Sequence, residues 1–349
     1  MKLRSANDRP PQEHVIPTEA SFSAFEKRGE EDRPRLSAWL QPLRLGVIVA
    51  LSLTGTLLAQ KAAWQPPPGT TTLPLWPHGT MANRREIGPE SNLTTPKDYL
   101  VAGRTIIRLA NVSDPTLTLY PPTGKNTGAA IVVFPGGGYN ILVPDLEGSE
   151  VCDWLTPAGI ACILVKYRVP GSGPYPKSSL ALEDAQRALG LVRSHATEWH
   201  IDPDRIGVLG FSAGGHLAVA LSTHFDKRLY KHVDAADDLS CRPDFAVLIY
   251  PAYLVLDSDV HTLAPDMKPN ERTPPAFILQ AEDDGIHVEN TIQYFLALKE
   301  VKVPAELHVY AQGGHGYGLR RRSHLPVTDW PMLVDRWLRT IKVVSNPAP

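Results

Sequence analysis

The sequence predicts an α/β fold with a mostly parallel central sheet covered by helices on both faces. Three observations carry this. From residue 129 onward, short apolar runs alternate with segments whose apolar residues recur at helical spacing. The runs have no polar face, as strands buried on both sides require. One of them, Arg205-Ile206-Gly207-Val208-Leu209, leads directly into Gly210-Phe211-Ser212-Ala213-Gly214 and then into an apolar stretch from Gly215 that reads as a helix. A strand, a very tight turn and a helix would lift the Ser212 hydroxyl clear of the sheet, and the pattern G-x-S-x-G is that of a nucleophile elbow. Small neighbours are needed because the turn strains the serine backbone and packs helix against strand.

Taken in order, the first 44 of 349 residues carry charges of both signs, several prolines and no apolar period, and read as a disordered leader. Residues 45–59 are a continuous apolar run with Arg44 before it and Lys61 after it. As a helix it would span roughly 23 Å, short of the ~30 Å hydrocarbon core, so 45–64 reads as a signal peptide or, left uncleaved, a membrane anchor. The leader is long for a signal peptide, so either translation starts downstream or an anchor carries a cytoplasmic tail. Arg33, Arg35 and Arg44 favour that end staying inside. Both versions place the catalytic domain, 65–345, outside the cytoplasm: periplasmic or secreted.

Gln65-Pro66-Pro67-Pro68-Gly69 and the threonines after it read as a linker, and the segment from Leu73 to Pro96 as irregular. Residues 104–109 and 116–120 alternate like an edge hairpin. Strands are expected at 130–134, 160–167, 205–209, 245–250, 276–280 and 305–310. Helices are expected from 148, over 180–199, from 215, over 290–299 and over 330–341. Trp154, Trp199 and Trp330 read as core. Glu183, Asp184 and Arg187 read as an ion-pair set on one helix, and Arg320-Arg321-Arg322 as a solvated basic turn.

Composition excludes some classes. With 35 Lys+Arg against 37 Asp+Glu the net charge is −2, so no overall field favours nucleic acid or acidic lipid. Membrane contact is expected only through the N-terminal anchor. Cys152, Cys162 and Cys241 show no C-x-x-C spacing, so no metal is expected, and they read as small buried apolar residues. Nothing calls for a cofactor.

Acyl transfer by a serine needs a base to take the hydroxyl proton and an acid to orient that base. Glu282-Asp283-Asp284-Gly285 follows one expected strand, and Gly313-Gly314-His315-Gly316 follows the next. The order Ser…Asp…His is that of the α/β-hydrolase fold, and each residue follows the carboxyl end of a strand, where such sheets place their sites. Counting from the strand favours Asp284 as the acid; counting back from the next helix favours Asp283. His216, beside the elbow, packs there or lines the rim. Phe134-Pro135-Gly136-Gly137-Gly138-Tyr139 follows the first core strand, where bare amides can point into the site. The amides of Gly137, Gly138 and Ala213 are the expected oxyanion hole, worth about 3 kcal/mol per donor. Tyr139 is expected to overhang the acyl side and contact substrate. A phosphate-binding loop fails on detail, since no G-x-G-x-x-G opens a helix there and no Lys-Ser/Thr follows.

Pro135-Gly-Gly-Gly-Tyr139, Lys166-Tyr-Arg168, the stretch from Ile201 to Val208, Gly210-Phe-Ser-Ala-Gly-Gly-His-Leu-Ala218 and Gly313-Gly-His-Gly-Tyr-Gly-Leu319 together resemble the secreted bacterial α/β-hydrolases related to acetyl xylan esterases. The resemblance covers roughly residues 73–345. It implies a carboxylic ester hydrolase acting on a small-molecule or polysaccharide ester, with Ser212, Asp284 and His315 as the triad and the glycine loop as oxyanion hole. Where lipases and esterases carry His-Gly-Gly-Gly this chain has Pro135, and the spacing after Asp284 is one residue short, which keeps Asp283 open. Two rivals stand beside this expectation. One is a serine peptidase of the prolyl oligopeptidase type, which usually brings a propeller domain. The other is a non-catalytic binding protein, which usually lacks one of the three residues.

Overall fold

A computed structural model describes residues 63–81, 83–171, 179–321 and 325–345 of the chain, all within the compact unit Ala59–Pro349. The expected leader and the apolar run at 45–59 lie outside the described residues. Among the described residues no helix is long and apolar enough to cross a membrane.

Among the described residues the architecture is built on an eight-stranded sheet, beside two two-stranded ribbons. Its strands are β1 (Thr71–Pro74), β2 (Thr116–Tyr120), β3 (Ala130–Phe134), β4 (Ala161–Lys166), β5 (Ile206–Phe211), β6 (Ala246–Ile249), β7 (Ala276–Ala281) and β8 (Ala305–Tyr310). They lie in the order β1-β2-β4-β3-β5-β6-β7-β8. β1–β2 and β2–β4 pair antiparallel, and the other neighbours pair parallel. The helices are α1 (Glu150–Leu155), α2 (Ser179–Ser194), α3 (Ala213–Thr223), α4 (Glu289–Glu300) and α5 (Trp330–Thr340).

The two-residue period of a strand explains the layering. In β3, Ala130, Val132 and Phe134 enter the core cluster shared with α2, α3 and α4. Ile131 and Val133 enter the opposite cluster, with Leu155 of α1 and Trp330, Val334 and Trp337 of α5. Every residue of β3 is therefore buried, as its unbroken apolar sequence requires. Trp199 and Trp330 are core, and Trp154 packs edge-on against Trp330.

Several expectations are corrected. The edge hairpin does not form: β2 pairs with β1 instead, with the Thr72 and Thr118 hydroxyls 3.0 Å apart. The backbone at 104–109 is claimed elsewhere, because Asp145 accepts from Ile107 N and Arg320 donates to the carbonyls of Arg104 and Thr105. Since β1 uses Thr71 and Thr72, those threonines are sheet, not linker. Ala63 and Trp64, at the end of the segment read as signal peptide or anchor, pack against the core.

Cys152 and Cys162 are buried, as expected, but joined in a disulfide. α1 lies on β4 and brings their Cα atoms to 5.2 Å, inside the range a bridge needs. Spacing along the chain could not show that juxtaposition. Glu183 and Asp184 do not pair with Arg187. Both hold the buried Arg168, while Arg187 reaches Asp234 and Asp237. Arg320 is no solvated turn residue: it is 5% exposed and bound to Asp145 and Glu150. Arg321 is exposed and pairs with Asp329; Arg322 lies outside the described residues.

Candidate active site

Ser212 follows β5 and caps α3 with φ 52° and ψ −118°, a left-handed conformation that costs a non-glycine residue about 1–3 kcal/mol. The surroundings hold it there. Ser212 N donates to Ile249 O at 3.1 Å, and Ser212 O accepts from His216 N and Ala252 N, each at 3.1 Å. Two glycines allow the turn through close approach. A Cβ on Gly210 would stand 2.1 Å from Gly214 O, and one on Gly214 2.1 Å from Phe134 O.

The β8–α5 connection brings His315 to this serine. Its Nε2 lies 2.9 Å from Ser212 Oγ, and its Nδ1 lies 2.8 Å from Asp284 Oδ2. A carboxylate only accepts, so Nδ1 carries the proton and Nε2 is left to accept from the serine hydroxyl. Asp284 has a fully buried side chain, and Ile286 N donates to its other oxygen at 2.7 Å. Asp283 does something else: its Oδ1 accepts from Gly313 N at 2.8 Å and Gly314 N at 2.7 Å, tying down the start of the histidine loop. The carboxylate that touches the imidazole is Asp284.

Gly137 and Gly138 line a cavity of about 280 Å³ together with Ser212 and His315. Both have positive φ, 129° and 62°, and no hydrogen bond among the described residues consumes their amides. Ala213, the third expected donor, opens α3 directly after the serine. The cavity's apolar wall is Ile106, Ile141, Val143 and Leu146.

Tyr139 does not overhang the acyl side. It takes φ 61°, which turns the ring inward; the residue is 3% exposed, and its hydroxyl meets His216 Nδ1 at 2.8 Å. His216 accordingly packs beneath the elbow. The tyrosines that line the cavity are Tyr99 and Tyr253, the latter stacked on Tyr139 with ring centroids 6.3 Å apart.

Two polar residues at the site, Glu147 and Tyr250, went unseen in the sequence, and a third, Tyr167, stood there only within the Lys166-Tyr-Arg168 motif. Glu147, 3% exposed, accepts from Gly136 N at 2.7 Å and from the Tyr250 hydroxyl at 2.9 Å. Burial pushes its carboxyl above the usual range, partly offset by the Tyr250 hydroxyl, the nearby His315 and the Gly136 amide. Tyr250 in turn accepts from Gly318 N at 3.1 Å, and its ring meets His315 edge-on at 4.9 Å. Burial, then the Glu147 charge, holds this phenol well above its ordinary range. Tyr167 donates to Pro135 O on the other side of the glycine loop. A Glu after a Val-Pro-Asp turn and a Tyr closing a strand are common surface or core residues, and nothing in their spacing marks them.

Residues 131–273 match a family model described as the alpha/beta hydrolase fold. The chain is 32% identical over 215 residues to the acetylxylan esterase of Xylanibacter ruminicola, covering 55% of this chain and 42% of that protein. It is 29% identical over 204 residues to endo-1,4-beta-xylanase B of Butyrivibrio fibrisolvens, covering 53% and 32%. The chain thus spans less than half the length of these two curated relatives. Among solved structures, an acetyl ester-xyloside bifunctional hydrolase from Caldicellulosiruptor lactoaceticus aligns with TM-score 0.62 and 33% identity, over 79% of this chain and 97% of that one. With that likeness, and a mostly parallel sheet whose elbow, acid and histidine follow the ends of β5, β7 and β8, the chain belongs to the α/β-hydrolase family, among the relatives of the acetyl xylan esterases.

Proposed function

We propose that the protein is a serine carboxylic ester hydrolase that deacetylates plant-type polysaccharides or oligosaccharides through an acyl-enzyme on Ser212. The observation that carries this reading is the hydrogen-bonded line Ser212–His315–Asp284 opening into a cavity edged by two unused glycine amides. His315 Nε2 takes the hydroxyl proton as Ser212 Oγ attacks the ester carbonyl carbon. The amides of Gly137, Gly138 and Ala213 receive the charge that forms on the carbonyl oxygen. The tetrahedral species collapses, the C–O bond to the alcohol breaks, and His315 returns its proton to the departing oxygen. Water, deprotonated by the same imidazole, then attacks the acyl-serine and releases the acid. The acetylxylan esterase relative and the acetyl ester-xyloside hydrolase support a sugar acetate as substrate.

The site works outside the cytoplasm in this reading. The Cys152–Cys162 disulfide supports it, because such bonds persist mainly in oxidising compartments. The substrate reading is tested by kcat/KM across p-nitrophenyl acetate, butyrate, octanoate and palmitate. A cavity of about 280 Å³ has little surface for long chains, each methylene of which would add ~0.8 kcal/mol if buried. Acetate is expected to be the best of the series, with acetate also released from acetylated xylan. A rise from acetate to octanoate would point to a lipid esterase instead.

A further inference from the structure

We propose that Tyr99, with the Asp98–Arg108 ion pair beside it, is the platform that receives a neutral saccharide ring on the alcohol side of Ser212. The inference rests on the ester-hydrolase reading and says where its leaving alcohol sits.

The chemistry identifies the side. In an ester cleavage by this site His315 protonates the departing oxygen, so the alcohol must leave beside the histidine loop. Gly316 follows His315 in that loop, and the Tyr99 hydroxyl lies 3.5 Å from where a Cβ on Gly316 would stand. Tyr99, Arg108 and Gly316 all line the cavity that contains Ser212.

The surface has the features of a sugar contact. Tyr99 is 57% exposed, a large ring left in water at the lip of the cavity. The Arg108 guanidinium carbon lies 6.0 Å from the ring centroid. Arg108 Nε is 3.4 Å from Asp98 Oδ2, yet it is shut off from solvent and makes no hydrogen bond. An aromatic face offers area to the C–H face of a pyranose, while the Arg108 guanidinium in the cavity wall offers donors to its hydroxyls. Because Arg108 is already paired with Asp98, the platform carries little net charge and suits an uncharged sugar ring.

The platform is also held in place before substrate arrives. Leu93 N donates to Arg108 O at 2.8 Å, and the Thr94 hydroxyl donates to Ile106 O at 2.8 Å. Arg320, itself bound to Glu150, donates to Arg104 O at 3.1 Å and to Thr105 O at 2.8 Å. The buried arginine thus bolts this arm to the domain, and an arm fixed in advance loses little freedom on binding.

The test compares two acetates on the full chain, followed by acid release. One is monoacetylated methyl xylopyranoside; the other is ethyl acetate, whose alcohol carries no ring to lie on Tyr99. Tyr99→Ala is expected to lower kcat/KM on the sugar acetate about tenfold, mainly through KM, with ethyl acetate changed less than about twofold. Arg108→Gln should act in the same direction, and Tyr99→Phe should stay near wild type because the ring face remains. Equal losses on both substrates, or an unchanged sugar KM in Tyr99→Ala, would overturn the platform. Ethyl acetate cleaved by the wild type with no sugar acetate turned over would also overturn it, while leaving the esterase reading intact. Turnover of neither would remove the esterase reading itself.

Discussion

Two adjacent aspartates divide the work at the histidine loop. Asp284 meets the imidazole, and Asp283 accepts two amides of the loop that carries it. Counting from the preceding strand identifies Asp284 because β7 ends where its apolar run ends, at Ala281. Counting back from α4 points to Asp283, whose carboxylate is taken by the Gly313 and Gly314 amides instead. Asp284→Asn is expected to lower kcat about 10⁴-fold, since an amide no longer fixes the Nδ1–H tautomer. Asp283→Asn keeps one acceptor for the loop amides and should cost about tenfold or less; losses of equal size, read with p-nitrophenyl acetate, would contradict the division. Tyr139 shows what single residues hide. Its ring direction depends on a positive φ, which no spacing pattern reveals.

At the scale of elements, the strand-to-helix turn was legible because its glycines answer close approaches that only glycine permits. The central parallel strands β3, β5 and β7 were legible because both faces are buried, so their sequences are almost wholly apolar. β1 was not, since it is four residues long and mostly exposed, and β2 was read as a strand but given the wrong partner. What joins the elements was also invisible. From Gly136 N through Glu147 and the Tyr250 hydroxyl to Gly318 N, one buried chain of hydrogen bonds ties the glycine loop to the histidine loop. The two end groups are backbone amides that can only donate, so Glu147 accepts at both oxygens. Glu147→Leu leaves the Gly136 amide and the Tyr250 hydroxyl without their acceptor, at about 1–3 kcal/mol each, and lets the loops drift. It is expected to lower kcat about 10²-fold, the effect of a misplacement near 1 Å. Glu147→Gln, which keeps an acceptor, should retain more; kcat for p-nitrophenyl acetate in both variants, with circular dichroism to verify folding, checks this.

For the whole molecule, fold class was readable from the alternation of strands and helices, and the order of the three site residues from the strand ends they follow. The disulfide, the buried arginines and the sugar platform needed three dimensions, because each joins residues that packing alone brings together. Residues 1–64 are expected to carry a fused reporter that works only outside the cytoplasm; a silent but intact cytoplasmic fusion would remove the export proposal. The central claim is that Ser212 is the nucleophile of an ester hydrolase. Its most direct test is steady-state hydrolysis of p-nitrophenyl acetate by the wild type and by Ser212→Ala, both shown to be folded. The account predicts ready turnover by the wild type and a loss on the order of 10⁶-fold in the variant. Turnover by Ser212→Ala within about tenfold of the wild type would contradict it, because removing an acyl-accepting hydroxyl cannot be that mild.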